Sequence, residues 1–154
     1  MPHNLSIVLV TPEIPTNTGS IGRLCLATNS TLHLVDPLGF EITDSRVKRA
    51  GLDYWKYLQI VRHKNLEAFF DSLPPEAPTT FFSTKAKTSV FEQKFIQGSY
   101  LIFGCETKGL GEELLEKFSE HTFKIPQYDD RVRSLNLANA ASIVVYEAIR
   151  QLGP

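Results

Sequence analysis

The sequence predicts an α/β protein built on a mainly parallel sheet with helices on both faces. Short apolar runs alternate along the chain with stretches of helical periodicity, which is the pattern of repeated β-α-β units. Tyr100–Phe103 is apolar throughout, as expected for a strand that is covered on both faces of a parallel sheet. The composition, with 42% hydrophobic and 21% charged residues, is ordinary for a globular domain.

Length, charge and cysteine content restrict the class of protein. At 154 residues the chain is long enough to bury a core, and we expect one domain over residues 1–154. The net charge of −1 means that any nucleic-acid binding depends on a local basic patch. Cys25 and Cys105 lie in apolar runs and are interpreted as reduced, packed thiols. Neither a leader segment nor a long apolar span is evident, so we expect a cytoplasmic protein.

The first predicted strand, Leu5–Val10, leads through a proline-stiffened loop into an amphipathic helix. Thr16, Asn17 and Thr18 all qualify as its N-cap. The core face of this helix has the spacing i, i+3, i+4, i+7 and consists of Ile21, Leu24, Cys25 and Thr28. Arg23 lies off that face in the first turns, where a cation is unfavourable. It is therefore either a simple exposed side chain or one that points to a partner in the loop or to a ligand.

A basic and aromatic stretch follows the second predicted strand, Leu32–Val35. Four cations and three aromatic residues interleave over Ser45–Tyr57. Such a surface suits the phosphates and bases of a nucleic acid, while a solvated helix face is the alternative interpretation. The candidate RNA-binding residues in this stretch are Arg46, Lys48, Arg49, Tyr54 and Lys56.

The rest of the chain continues the alternation of strands and helices. Further strands are predicted at Gln59–Val61, Thr79–Thr84, Tyr100–Phe103 and Thr122–Ile125, and the second of these runs into the polar segment Lys85–Thr88. A helix capped by Asn65 carries Leu66, Phe69 and Phe70, and a later helix carries Leu114, Leu115 and Phe118.

The segment after Tyr100–Phe103 places a lone carboxylate among glycines, in the order Gly104, Glu106, Gly109 and Gly111. Glycine lets the backbone approach a ligand closely, and open α/β sheets bind ligands beyond the carboxyl ends of their strands. The segment is therefore either a binding loop or a plain connection into the next helix.

The last predicted helix runs from Ser134 to about Gln151 and carries a polar stripe. One face of it holds Asn136, Asn139, Ser142 and Tyr146, while most of the other positions are apolar. A buried polar stripe needs hydrogen-bonding partners. The helix therefore either packs on a symmetry mate and reaches a ligand at its N-terminal end, or it is a core helix whose asparagines bond loops.

Several catalytic signatures are missing from the sequence. It contains no G-x-x-x-x-G-K-[ST] phosphate loop, no G-x-G-x-x-G dinucleotide fingerprint and no G-x-S-x-G nucleophile elbow. Its four histidines lie far apart and lack the spacing of metal ligands. We therefore expect no bound metal.

Three segments in order resemble the three motifs of the SPOUT class of RNA methyltransferases: Pro12–Cys25, Leu101–Leu110, and Ile125-Pro126 together with Arg133–Ala148. Arg49–Tyr54, and the lack of an added RNA-binding domain, resemble the minimal members of that class. Within the class, the resemblance is to the tRNA (cytidine(34)-2′-O)-methyltransferase family, which modifies the wobble nucleotide. The third segment departs from the family pattern at Gln127 and in the acidic pair Asp129-Asp130.

The resemblance implies a C-terminal trefoil knot, which is an exception to the rule that chains do not knot. It also implies tRNA as substrate, an obligate homodimer, and S-adenosylmethionine bound in the knotted cleft beside the partner subunit. Carried over residue by residue, the cofactor site consists of Phe82, Ser83, Gly104, Glu106, Ile125, Ser134, Leu135 and Asn139.

The same resemblance places Asn17 and Arg23 near the methyl group that is transferred. We predict that Arg23 stabilises negative charge on the ribose 2′ oxygen and anchors a phosphate, because a guanidinium stays protonated in proteins. Asn17, Glu106 and Asn136 are predicted to hold Arg23 and the loops in place. Three alternatives stay open: a non-catalytic RNA-binding module, a 2′-O-methyltransferase of another tRNA or rRNA site, and a small-molecule α/β protein.

Overall fold

Seven strands form a single parallel sheet in the computed structural model of the chain, which describes residues 3–153 apart from the side chains of residues 51–53. The predicted domain bounds, 1–154, extend past the described residues at both ends. The strands are β1 (Ser6–Val10), β2 (Thr31–Val35), β3 (Ile60–His63), β4 (Thr79–Phe82), β5 (Thr88–Ser89), β6 (Tyr100–Phe103) and β7 (Thr122–Lys124). Their order is β3-β2-β1-β6-β4-β7-β5, and every neighbouring pair is parallel. The predicted parallel sheet is confirmed.

Five α-helices lie within the described residues: α1 (Pro15–Thr28), α2 (Ser45–Gly51), α3 (Leu66–Ser72), α4 (Glu112–Lys117) and α5 (Leu137–Leu152). Shorter 3₁₀ helices occur at Leu52–Tyr57, Val90–Glu92 and Ser119–His121. The basic and aromatic stretch of the sequence therefore forms α2 and the 3₁₀ helix that follows it.

Helices cover both faces of the sheet, because successive side chains of a strand point to opposite faces. On β1, Ile7 and Leu9 pack into one core cluster with the apolar sides of α1 and α5. Val8 and Val10 point the other way and pack in a second cluster with Phe69 of α3. The α/β class with two covered faces is therefore confirmed.

Two helices begin at residues other than those predicted. α1 begins at Pro15, since proline fits the first helical position, where no N–H partner is needed. The three predicted N-cap residues, Thr16, Asn17 and Thr18, therefore lie inside the helix, and the cap position is Ile14. Arg23 lies beyond the first two turns rather than within them. α5 begins after Asn136 and not at Ser134, because the Asn136 side chain caps it.

The strand bounds also differ from the prediction: β4 ends at Phe82 rather than Thr84, and β1, β2 and β7 each differ by one residue at one end. β3 is Ile60–His63 rather than Gln59–Val61, and the two-residue strand β5 was not predicted. A strand of two residues is too short to show an alternating pattern. The predicted cap of α3 is confirmed, since the Asn65 side chain accepts a hydrogen bond of 2.7 Å from the Ala68 N–H.

The strand order reverses between β1 and β6. From β1 the chain builds outward through β2 and β3, and its later strands lie on the other side of β1. Such a switch point opens a crevice at the carboxyl ends of the strands. The trefoil knot remains a prediction, because strand order does not trace how the chain threads. In residues 3–153, no helix has both the length and the apolar character that spanning a membrane requires.

Candidate functional site

A cleft lies at the carboxyl ends of β4, β6 and β7, beside the point where the strand order reverses. Its volume of about 350 Å³ is within the range of small-molecule sites. The strand ends contribute Phe82, Phe103 and Ile125, the start of α1 contributes Ile14 and Asn17, and the segment before α5 contributes Ser134, Leu135 and Asn136. The cleft is thus where an open α/β sheet binds its ligand.

Gly104 allows the loop after β6 to fold back on the strand. A Cβ at this position would lie 2.1 Å from the Gly109 carbonyl carbon and 2.3 Å from the Leu110 nitrogen, so no side chain fits. Cys105 and Gly109 exchange backbone hydrogen bonds of 3.0 and 3.2 Å. Gly109 has a φ of +65°, a conformation that favours glycine. The loop is therefore a tight turn, and its residues form one wall of the cleft.

The Glu106 carboxylate binds the start of α1. Its two oxygens accept hydrogen bonds from the backbone N–H groups of Glu13 and Ile14, each at 2.8 Å. Asn17 Nδ2 donates a third hydrogen bond at 3.2 Å. A carboxylate is favourable here, because the N-terminal end of a helix carries partial positive charge.

A second contact joins the same two loops in the opposite direction. Glu13 Oε1 accepts hydrogen bonds from the Thr107 N–H at 3.0 Å and the Thr107 hydroxyl at 2.7 Å. These hydrogen bonds favour the ionised carboxylate and lower the pKa of Glu13. Because each loop donates to a carboxylate of the other, the β1–α1 and β6–α4 connections are held in one relative position.

An asparagine pair extends this network to α5. Asn136 Nδ2 donates to Asn17 Oδ1 at 3.0 Å, while Asn136 Oδ1 accepts from the N–H groups of Ala138 and Asn139 at 2.9 and 3.2 Å. Asn17 uses its nitrogen toward Glu106 and its oxygen toward Asn136, so the network fixes the orientation of its amide. The three resembling segments therefore meet at one edge of the cleft.

The structure places most of the predicted cofactor residues on the cleft: Phe82, Ser83, Gly104, Glu106, Ile125, Ser134 and Leu135. Asn139 lies outside the cleft and is exposed on the first turn of α5. Leu137 and Ala140 of the same turn line the cleft, so Asn139 lies on a different face of α5.

Among the predicted catalytic residues, Asn17, Glu106 and Asn136 line the cleft and Arg23 does not. Arg23 is exposed on α1, with its guanidinium carbon 5.5 Å from the centroid of the Tyr54 ring, a cation–π distance. Within the described residues, the side-chain hydrogen bonds of the other three go to each other and to helix starts, and none goes to Arg23. These hydrogen bonds join the loops to each other and do not reach Arg23 within the same chain.

The predicted RNA-binding residues form an exposed surface beside Arg23. Lys48, Arg49, Tyr54 and Lys56 are exposed, and Tyr54 contacts Arg23 directly. The fifth residue, Arg46, donates to the Asp44 carboxylate at 2.8 and 3.1 Å. Its charge is therefore partly neutralised, while the others remain available to a polyanion.

Sequence reasoning missed the cations at the rim of the cleft. Lys85, Lys108 and Arg133 line it, and Arg133 Nη2 donates to the Thr107 carbonyl oxygen at 2.5 Å. Lys108 and Arg133 lie within the second and third resembling segments, and Lys85 begins the polar segment after the fourth predicted strand, which is the one signal that the sequence offers. Their convergence depends on three loops that are distant in sequence.

Comparison with known proteins gives a consistent set of similarities. The SpoU rRNA methylase family matches residues 4–146. A tRNA (cytidine(34)-2′-O)-methyltransferase of Saccharophagus degradans is 48% identical over 149 residues, which cover 96% of each chain. A solved structure concerned with the 2-OH methylation of C/U34 on tRNA has a TM-score of 0.94 and 45% identity, covering 98% of this chain and 97% of that one. The SpoU methyltransferase AviRb of Streptomyces viridochromogenes, solved with the cofactor AdoMet, has a TM-score of 0.85 and 26% identity, covering 98% of this chain and 61% of that one.

Proposed function

Because the chain belongs to the SpoU rRNA methylase family, we propose that it transfers a methyl group from S-adenosylmethionine to the ribose 2′-hydroxyl of nucleotide 34 in tRNA. The observation that carries this substrate is the 48% identity, over nearly the full length of both chains, to a tRNA (cytidine(34)-2′-O)-methyltransferase. The solved relative concerned with C/U34 supports uridine as a second acceptor base. A cytoplasmic location follows from a tRNA substrate.

The cleft fits S-adenosylmethionine in its chemistry. Phe82, Ile125 and Leu135 give it apolar surface for a nucleobase, while Glu106 and Ser134 add polar groups. At Gly104 any side chain would collide with the loop backbone, so glycine keeps this wall in place. When bound, the cofactor would supply an electrophilic methyl group on a sulfonium sulfur; transfer would form the new O–C bond, break the C–S bond and release the hydroxyl proton to water.

The residues of the chain contribute positioning and electrostatics to this reaction. The hydrogen bonds among Asn17, Glu106 and Asn136 fix three loops at the cleft. Fixed alignment of reacting groups supplies up to about 7–11 kcal/mol of a reaction barrier. The Arg23 guanidinium stabilises the charge that develops on the 2′ oxygen, since a permanent cation near an oxyanion lowers the barrier without accepting a proton.

We further propose that a homodimer completes the site. Arg23 is exposed and lies outside the cleft of its own chain, so a second copy supplies it to that cleft. One face of α5 supports such an interface, because Ile143 and Tyr146 are 37% and 54% exposed and Asn139 continues the same face. This proposal corresponds to the first of the two interpretations of the last helix, in which it packs on a symmetry mate.

Nucleoside mass spectrometry tests the proposed function. Unmodified tRNA incubated with the protein and S-adenosylmethionine should gain one 2′-O-methyl group at nucleotide 34, and the same tRNA with 2′-deoxyribose at that nucleotide should gain none. Methylation at another nucleotide would support a different RNA site. Cofactor binding without transfer would support a non-catalytic RNA-binding module, and calorimetry without cofactor binding would support a small-molecule protein.

Light scattering after size exclusion tests the dimer separately. The expected mass is twice the 17.3 kDa of the chain. A monomer at working concentrations that retains full activity would contradict the role of a second copy.

A further inference from the structure

We propose that Tyr128 stacks on a base of the substrate RNA that flanks the methylated nucleotide. The stacked base would lie in a hollow that adjoins the cleft. This inference rests on the proposed function and deepens it, because it adds a contact to a base where the proposed mechanism requires only the ribose.

The first observation is the exposure of the ring. The Tyr128 side chain is 95% exposed, compared with 65% for Tyr57 and 54% for Tyr146. A ring in this position has almost no packing contacts within its own chain. Its apolar faces are available to a partner, and an aromatic ring stacks on any nucleobase.

The second observation is that the loop carrying this ring is internally bonded. Gln127 Nε2 donates to the Val132 carbonyl oxygen at 3.0 Å, which closes the loop across its base. Arg131 donates to the Asp129 carboxylate, with its Nε at 2.9 Å from Oδ1. A loop that is ordered before binding loses less conformational entropy when its partner arrives.

The ion pair between Arg131 and Asp129 also reduces the negative charge that the loop presents to an RNA. Asp129 is neutralised by Arg131, and its hydrogen bonds lower the pKa of the carboxyl group. Asp130 is offset by Arg133 at the other end of the loop, so the loop as a whole carries no net charge. The acidic pair that departs from the family pattern is therefore compatible with an RNA partner.

The third observation is the position of the loop. It lines a hollow that shares Thr84, Ile125, Gln127 and Arg133 with the cleft, so the two are continuous. Tyr128 lies on the hollow side of this boundary. A nucleotide whose ribose reaches the cleft therefore brings a flanking nucleotide to the hollow.

Lysines at the same boundary offer positive charge to the phosphates of the RNA. Lys85 lines the cleft and Lys124 lines the hollow, and neither forms an ion pair within the part of the chain that the structure describes. Phosphate contacts position an RNA, while stacking on an aromatic side chain selects bases that are unpaired. The combination favours a single-stranded loop such as the one that contains nucleotide 34.

A double-mutant cycle, in which the Tyr128 ring and the RNA base are removed separately and together, tests this proposal. The substrates are an anticodon stem-loop RNA and the same RNA made abasic at nucleotide 33 or 35. On the intact RNA, Tyr128→Ala should raise KM about tenfold, the size expected for loss of one stacked base. Tyr128→Phe should keep KM near the wild-type value, because it retains the ring. On the RNA that lacks the stacked base, wild type and Tyr128→Ala should have the same KM.

Matched controls separate stacking from other roles. Phe91→Ala, which removes an exposed aromatic ring that lines neither the cleft nor the hollow, should leave KM unchanged. Calorimetry should give the same affinity of Tyr128→Ala for S-adenosylmethionine, and light scattering should give the same mass. A loss of cofactor affinity would assign the ring to the cofactor, and a change of mass would assign it to the subunit interface; either result overturns the proposal.

Two further outcomes would also overturn the proposal. One is an unchanged KM for Tyr128→Ala on the intact RNA, and the other is a loss that persists on both abasic RNAs. If the wild-type protein methylates no tRNA, the proposed function fails. Fluorescence anisotropy then measures the Kd of wild type and of the Tyr128 variants for the same intact and abasic RNAs. These Kd values should differ in the same way as the KM values. The two failures are therefore distinguishable.

Discussion

Asn136 donates a hydrogen bond of 3.0 Å to Asn17 across 119 residues of sequence. Asn17 in turn donates to Glu106 at 3.2 Å, and Asn136 caps α5. One series of hydrogen bonds therefore joins the start of α1, the loop after β6 and the start of α5. Removing one partner leaves the polar groups of its neighbours unpaired, which costs more than the bond itself contributes.

We expect Glu106→Gln to lower both stability and turnover. The new amide nitrogen replaces an oxygen that accepts from Glu13 N–H, Ile14 N–H or Asn17, so two donors face each other. An unpaired donor costs about 1–3 kcal/mol. Urea unfolding and methyl-transfer assays measure the two effects, with the exposed Glu112→Gln as the matched control. Wild-type values for both would contradict the role of the network.

Arg23→Ala should abolish methyl transfer while keeping the affinity for S-adenosylmethionine within a few-fold, because Arg23 lies outside the cleft of its own chain. Mixed dimers test whether it acts across the interface. When Arg23→Ala is mixed with a cofactor-binding variant such as Gly104→Ala, activity should return to one site of each mixed dimer. Mixtures that stay inactive would contradict action by the second copy.

Gly104→Ala should lose cofactor binding. The added Cβ would lie 2.1 Å from the Gly109 backbone, so the loop must move away from β6. Gly98→Asn is the control, since no atom lies within 4 Å of an added Cβ at Gly98; its φ of +79°, unlike the φ of Gly104, is positive, and asparagine tolerates that conformation better than other residues do. Calorimetry with S-adenosylmethionine should separate the two variants, and circular dichroism should show both folded. Equal affinity of the two variants for S-adenosylmethionine would contradict the assignment of the Gly104 loop to the wall of the cofactor site.

His33 and His63 should make stability depend on pH. Their rings stack with centroids 5.2 Å apart, and His33 Nδ1 lies 2.9 Å from His63 Nε2. Burial, helped by the neighbouring ring, lowers the pKa of His33 to about 4, and burial also lowers the pKa of His63. Histidines of the unfolded chain bind protons near pH 6.5, so stability is complete above that pH and is lost as the pH falls toward 4.

The measurement is the free energy of unfolding in urea between pH 7.5 and pH 4.5. It should fall by up to about 1.4 kcal/mol per pH unit for each proton that unfolding takes up. His33→Gln should flatten this dependence, while His121→Gln, at an exposed position, should not change it. A dependence that is equally steep in His33→Gln would contradict the role of the pair.

Lys48→Ala and Arg49→Ala should weaken tRNA binding more than Arg46→Ala. Both side chains are exposed, whereas Arg46 is held by Asp44. Each lost phosphate contact should reduce the slope of log K against log salt by about 1. Filter binding over a salt series measures this slope. A slope reduced equally by all three substitutions would contradict the effect of the ion pair.

The sequence by itself determined the fold class and the location of the cleft. Strand and helix periodicities are local properties, so apolar runs such as Tyr100–Phe103 predicted a buried parallel strand correctly. Gly104 and Glu106 stand at the end of that strand, and general topology places such residues at the ligand edge. The family resemblance implied the eight cofactor residues, and seven of them lie on this cleft.

Tertiary structure decided how these residues pair. Nothing local indicates that Glu106 accepts from the start of α1 or that Asn136 reaches Asn17, since hydrogen bonds act over about 3 Å and depend on how distant segments are placed. The same holds for Arg23, which is exposed on α1 beside the Tyr54 ring and lies outside its own cleft. Periodicity fixes which face of an element is buried, and only the packed chain fixes which polar groups meet.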